Sequence, residues 1–272
     1  MKKIILLIWF SPILSNSNFE ILNLPQNIYA FTVNEYSFND NLNDNIYSLS
    51  FSKYPANISL LNFSYNKKFI FSFLDYGILN NQIDNDILNS FSSYEFFLEY
   101  IFKRNIKNYT LLIKPNIVHS KIDFLTSTAV FCNLSFLYNN NDLSLATNIE
   151  NMGYIINDYI SNDNFLNMHY TISGLKRFPL KNLELGFNLN YYKSFNNLQY
   201  SFSINKKISD KVLLLFDYSS IKRSLNSNHI FTNIFAGMSA GLIMINKDYN
   251  IGLGIKSLSD AGYSYCLSFD FK

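Results

Sequence analysis

Large apolar side chains recur at every second position along much of this chain. Leu183, Leu185, Phe187, Leu189 and Tyr191 alternate with Glu184, Gly186, Asn188 and Asn190. Leu198, Tyr200, Phe202 and Ile204 alternate with Gln199, Ser201, Ser203 and Asn205. Tyr249, Ile251, Leu253 and Ile255 do the same against Asn250, Gly252, Gly254 and Lys256. A last run sets Tyr263, Tyr265, Leu267, Phe269 and Phe271 against Ser264, Cys266, Ser268 and Asp270. A period of two is the signature of a strand with two unlike faces, here one greasy and one small or polar. Many such segments run roughly nine to twelve residues, beyond the usual soluble strand and matching a tilted transmembrane one.

The pattern predicts strands at 46–53, 58–65, 69–76, 92–103, 108–118, 127–138, 142–150, 166–175, 182–193, 198–206, 211–219, 234–245, 248–257 and 262–271. Their connections fall into two sets. Asn66-Lys67, Arg104-Asn105, Asn139 to Asn141, Lys207 to Asp210 and Asn246-Lys247 are tight turns of hairpin chemistry. Segments 77–91, 119–126, 151–165 and 220–233 are long. Short turns on one side and long loops on the other are the habit of outer-membrane barrels, whose strands are even in number. The expected fold is all-β: a transmembrane antiparallel up-and-down β-barrel of about 14 strands, spanning 46–272, with both termini on the periplasmic side.

Composition sharpens this. Hydrophobic residues make up 48% and charged residues only 15%, against about 25% charged in an ordinary soluble domain. A charge facing lipid at mid-bilayer costs about 2–4 kcal/mol, so a barrel wall excludes it. Aromatics at 17% argue against disorder. A net charge of +2 without a basic run argues against nucleic acid. Beyond the extreme N-terminus no uncharged apolar stretch is long enough for a membrane helix. The N-terminus itself reads as an export signal over residues 1–17: Met1-Lys2-Lys3, an apolar run from Ile4 to Leu14, then Ser15-Asn16-Ser17. Cys132 shares a face with Val130, Leu134 and Phe136, and Cys266 with Ser264 and Ser268. The two thiols point to opposite sides of the sheet, so no disulfide is expected.

Facing parity also nominates lumenal residues: Glu95, Glu99, Lys114, His169, Glu184, Asp217 and Lys256. They would line a pore constriction or pair with one another to fill a closed lumen. Phe97, Ile101, Leu213 and Leu215 also face inward and favour filling. Of the other histidines, His119 and His229 fall in or beside the long loops. Serine is so common that one near a histidine carries no catalytic information, and no metal-ligand spacing or phosphate-cradling glycine loop occurs. The expectation is a non-enzyme without cofactor. Residues 18–45 leave the strand rhythm; they read either as an ordered tail or extra strand or, through Phe19, Leu22, Leu24, Pro25, Asp40 and Asp44, as a plug-like segment inside the barrel. Three glycosylation-like triplets, at Asn62, Asn108 and Asn133, are read as chance in an Asn-rich chain.

A series of short landmarks carries a family resemblance. Phe19 to Leu24-Pro25, Ala30, the acidic cluster Asp40 to Asp44, and Tyr54-Pro55-Ala56 resemble the N-terminal pattern of the PorV/PorQ family. Asp75-Tyr76-Gly77, Ser92-Ser93-Tyr94, Asn148 to Gly153, and Phe235 to Gly241 resemble PorQ in order and relative place. The family's Gly-Gly pair is missing, with Asn34-Glu35 near that place, and Tyr54 stands for its Asn. The resemblance implies a FadL-like barrel and a part in type IX protein secretion or surface attachment. It also implies outer-membrane lipid, the barrel-assembly machinery and the translocon as partners. Phe269 and Phe271 resemble the C-terminal signal presented to that assembly machinery, although Lys272 follows them.

Overall fold

A computed structural model describes residues 19–25, 27–28, 30, 46–83, 86–159, 165–192, 197–220, 235–258 and 262–272. The first half of the sheet comprises β1 (Tyr47–Lys53), β2 (Ser59–Tyr65), β3 (Phe69–Ile83), β4 (Asp86–Tyr100), β5 (Phe102–Ile106), β6 (Tyr109–Ile122) and β7 (Leu125–Asn139). The second comprises β8 (Leu143–Asn157), β9 (His169–Phe178), β10 (Leu183–Tyr192), β11 (Asn197–Ser209), β12 (Val212–Ser219), β13 (Met238–Ile245), β14 (Tyr249–Ser257) and β15 (Tyr263–Phe271). Each pairs antiparallel with its sequence neighbours except that β4 and β5 do not pair with each other; β1 pairs with β15, and β6 pairs with both β4 and β5. β4 and β5 are two halves of one strand interrupted at Ile101, whose N–H donates to the Lys68 carbonyl at 2.7 Å. The sheet is thus a closed up-and-down barrel of 14 strands, the only arrangement besides a helix that satisfies every backbone group in lipid.

The outward faces carry the greasy half of the alternation. Leu49, Phe51, Leu185, Phe187, Leu253 and Phe271 are all exposed, while Ser50, Ser52, Asn188, Ser203 and Ser268 are buried inside. Aromatics gather at the short-turn end. Tyr249, Phe271, Tyr47, Tyr65, Phe69 and Tyr100 form one continuous register row across six strands from β14 through β15 and β1 to β4. Such a girdle suits the membrane interface, where an amphipathic ring has one wet and one dry side.

The turns differ in detail from the sequence expectation. Asn66 and Lys67 both have positive φ, +49° and +52°, as the tightest hairpins require. Arg104 and Asn105 belong to β5; the turn lies at Lys107-Asn108, with Lys107 at φ +52°. In three of the four long connections the described residues are largely strand. β3 and β4 continue past the membrane to within two residues of each other, β6 and β7 meet at Asp123-Phe124, and β8 runs on to Asn157. His119 is therefore a strand residue, outward on β6 against the Phe96 ring. Most of 220–233, and His229 with it, lies outside the described residues, as do residues 1–18.

Two strands carry an extra residue that shifts their facing. On β8, Glu150 and Asn151 together oppose Asn133 of β7, because Cys132 pairs Met152 and Leu134 pairs Ile149. Asn151 takes φ +61° and donates its N–H to Asn133 Oδ1 at 2.8 Å, a β-bulge. On β3 the register slips between Asp75 and Ile78 around Gly77 at φ +74°. Cys266 is buried inward and Cys132 sits on the outward face; both are free thiols.

The described residues between 19 and 30 lie inside the barrel. Phe19, Ile21 and Ile28 are almost fully buried in one cluster with the inward Leu60, Leu74, Phe97, Val118, Leu215 and Ile243. Leu22 and Leu24 pack against its edge, and Pro25 is half-buried. Glu20–Asn23 forms a single 3-10 turn. Asp40 and Asp44 lie outside the described residues.

Candidate functional site

Glu95 on β4 receives the N-terminal segment. Parity turns it inward, and only 2% of it is exposed. Its carboxylate accepts the Ile21 N–H at 2.9 Å, the Glu20 N–H at 3.3 Å and the Tyr76 hydroxyl at 2.9 Å. A buried charge persists only where donors replace its water, and here the donors belong to the inserted segment and to β3. On the opposite wall Gly252 of β14 leaves room for Ile28: a Cβ there would sit 3.1 Å from Ile28 Cγ1 and Cγ2 and 2.5 Å from Ser268 Oγ.

Beneath the segment a cavity of about 100 Å³ is lined by Glu99, Lys114, Asn133, Glu150, Asn151 and Asn27. β4, β6, β7 and β8 bring the first five together from positions far apart in sequence, and the inserted segment supplies Asn27. Lys114 lies near enough to both carboxylates to offset their charge. Glu150 Oε2 lies 2.6 Å from His169 Nε2, and the His169 ring stacks on Tyr192 with centroids 5.0 Å apart. Asn151 Nδ2 is 3.5 Å from the other imidazole nitrogen. No serine or threonine hydroxyl is bonded to this histidine among the described residues. On the outer wall His119 Nδ1 pairs with Thr128 Oγ1 at 2.8 Å. Neither histidine thus shows a Ser/His/acid relay.

Two further charged groups lie on the inward face. Asp217, Ser239 and Lys256 are buried in one register row across β12, β13 and β14. Near the short-turn end Glu184 faces Arg177 Nε at 3.4 Å and accepts Asn205 Nδ2 at 3.2 Å. Arg177 also donates to Ser144 Oγ at 2.8 Å. Arg177, Glu184 and Asn205 line a mouth of about 400 Å³ with Phe178, Lys207, Asp210 and Leu213. At that mouth the exposed Asp210 bonds the Lys207 ammonium at 2.8 Å, which holds its carboxyl below the usual range.

The seven nominated lumenal residues therefore fall into four groups. Glu95 holds the inserted segment. Glu99, Lys114 and His169 share one polar cluster, Asp217 and Lys256 a second row, and Glu184 the mouth. Sequence reasoning missed Tyr76, Glu150 and Arg177. Tyr76 shares the parity of Ser72 and Leu74, and Glu150 that of Ala146 and Asn148, so both were findable by alternation. Arg177 was placed beyond its strand, which in fact continues to Phe178. Phe269 and Phe271 sit on the outward face of β15, the strand that closes the barrel against β1.

No family model matches the chain, and no curated protein sequence matches it. Among solved structures it is similar to the outer membrane protein Omp33 of Acinetobacter baumannii, with 10% identity, 84% of this chain and 98% of that one covered, and a TM-score of 0.47. It is also similar to the KdgM porin, at 11% identity over 83% of this chain and 98% of that one, TM-score 0.37. A third is the outer membrane phospholipase A of Escherichia coli, at 8% identity over 91% and 97%, TM-score 0.31.

Proposed function

We propose that this chain is a non-enzymatic barrel of the bacterial outer membrane that serves type IX protein secretion or the surface attachment of secreted proteins. The observation that carries the reading is the ordered series of PorV/PorQ-like landmarks, from Phe19 to Gly241, laid on a 14-strand barrel. The occupied lumen is consistent with it. A barrel holding its own N-terminal residues on Glu95 acts through what its ends and wall engage rather than as an open pore. Its partners in this reading are outer-membrane lipid, the assembly machinery that reads Phe269 and Phe271, and translocon and attachment proteins. In this reading a cleaved signal at 1–17 exports the chain, and the even number of strands puts both termini on the periplasmic side.

Deleting the gene in its host tests the proposal. Type IX cargo should accumulate inside the cell or leave the surface, and the tagged barrel should co-purify with translocon proteins. Normal export without any such partner would refute it. A second reading, a FadL-like transporter of hydrophobic small molecules, is favoured by the apolar lumenal cluster around Phe97, Leu215 and Ile243. It requires instead that the purified barrel bind a long-chain fatty acid and that deletion abolish its uptake.

A further inference from the structure

We propose that the outer wall carries a seat for one phosphate-bearing membrane lipid, with an acyl chain in a notch over Ala240 and the headgroup at Lys53. The proposal rests on the reading of this wall as lipid-facing. Across β12, β13, β14, β15 and β1, one outward register row reads Phe216, Ala240, Ile255, Tyr265, Lys53. The next row toward the short turns reads Leu214, Leu242, Leu253, Leu267, Phe51. Nine of these ten side chains are large; only Ala240 is small. The depression it leaves, floored by Gly241 and Gly254, belongs to an apolar groove of about 530 Å³ that reaches Lys53 at its far end.

The chemistry of that end selects the occupant. Among the described outward positions of these five strands, Lys53 alone is charged. Its ammonium donates to the Asn57 carbonyl at 2.6 Å and to Ser59 Oγ at 3.0 Å, both neutral acceptors. The nearest carboxylate in its row, Asp75 two strands further round, is turned to the Gly77 N–H at 2.9 Å. The row lies close to the long-connection end of every strand. Lys53 stands three strand spacings from Ala240, about 14 Å, a span that an acyl chain covers and a free phosphate does not. A lipid with an anionic headgroup supplies both the apolar chain and the charge.

Native mass spectrometry of the full folded barrel in a neutral detergent tests this. The probes are dipalmitoylphosphatidylglycerol, dipalmitoylphosphatidylcholine and dipalmitoylglycerol. The wild type should retain one phosphatidylglycerol in preference to the other two. Lys53→Gln should lower that retention about fivefold, toward the phosphatidylcholine level, and Ala240→Leu should abolish retention of all three. Ala240→Val, a smaller intrusion, should give an intermediate loss and guards against a folding defect in the leucine variant. Equal retention by wild type and both Ala240 variants would overturn the seat. So would equal retention of the three probes, or a concentration-dependent dimer that Ala240→Leu dissolves, which would give the notch to a second copy. Heat-modifiable gel mobility of the wild type separates the two readings: lost mobility sinks the membrane barrel, retained mobility without bound lipid sinks only the seat.

Discussion

Replacing Glu95 with alanine should release the inserted N-terminal residues. The carboxylate accepts two well-formed bonds, from the Ile21 N–H and the Tyr76 hydroxyl, each at 2.9 Å, and a weaker one from the Glu20 N–H at 3.3 Å. Bonds to a charged group contribute about 1.5–3 kcal/mol each, and orphaning a buried donor costs about 1–3 kcal/mol. Tyr76 is only half-buried and its hydroxyl can turn to water, so the Ile21 N–H dominates the loss. A net weakening of about 3 kcal/mol follows. At about 1.4 kcal/mol per decade, the displaced population rises roughly 150-fold. Phe19, Ile21 and Ile28 still hold the segment by burial, so the displaced state should remain a minority that appears in bursts.

Single-channel recording in planar bilayers reads those bursts, and limited proteolysis of the refolded barrel reads exposure of the N-terminal residues. Glu95→Gln keeps one carbonyl acceptor and should raise the open events only about tenfold, a loss of about 1.4 kcal/mol. Both variants must first show the heat-modifiable mobility of a closed barrel. If Glu95→Ala folds and its conductance and proteolysis match the wild type, the carboxylate does not hold the segment and the account of the lumen is wrong.

Three further outcomes are expected. Gly252→Ala places a methyl 3.1 Å from two Ile28 carbons and 2.5 Å from Ser268 Oγ; it should raise N-terminal proteolysis of the folded barrel. Leu267→Arg puts a charge on the outward face near the middle of β15 and should lower stability by about 2–4 kcal/mol in urea unfolding from lipid vesicles, an effect that would be absent from a wall facing water. Cys266, 4% exposed and inward, should resist maleimide until the barrel is unfolded, and both thiols should then react without reductant.

The wall was legible because lipid imposes one rule on every outward position. Leu185, Phe187 and Leu189 announce their face without help from any partner, and the alternation then fixes pairing and closure. The lumen obeys no such rule. Glu95 could be placed inward by parity, but its partner is the backbone of Ile21, 74 residues away, and backbone donors leave no sequence signal. The polar cluster likewise needs β4, β6, β8 and β9 in register before Glu99, Lys114, Glu150 and His169 meet. The strands themselves were cut short at identifiable places. Reading ended at Tyr76 and at Glu150, beside the two bulges, where the extra residue switches the outward face from odd to even positions. On β8 the outward side chains run Leu143, Leu145, Thr147, Ile149 and then Met152, Tyr154, Ile156. A broken period resembles a loop.

The bulge on β8 therefore makes a prediction that a loop at 151–165 would not. Deleting Asn151 removes the second of two consecutive inward residues. Glu150 stays inward, Met152 outward and Gly153 inward, so no side chain changes face. The losses are the Asn151 N–H bond to Asn133 Oδ1 at 2.8 Å, the Nδ2 bond to the Asn167 carbonyl at 3.2 Å and the longer Nδ2 contact with His169 Nδ1 at 3.5 Å. Those amount to about 1–3 kcal/mol, offset in part by relief of the positive φ. Deleting Thr147, four residues earlier on the same strand, has no such escape, because a one-residue slip reverses every side chain it reaches. Even if the bulge absorbs the slip, Asn148 and Glu150 turn to lipid, and Glu150 leaves His169, from which it now stands 2.6 Å. In heat-modifiability and urea unfolding, the Asn151 deletion should fold with a modest loss, and the Thr147 deletion should fail to close or unfold far earlier. Equal behaviour of the two deletions would mean that β8 ends where its first alternation ends, and that the extended hairpins above the membrane are not strand.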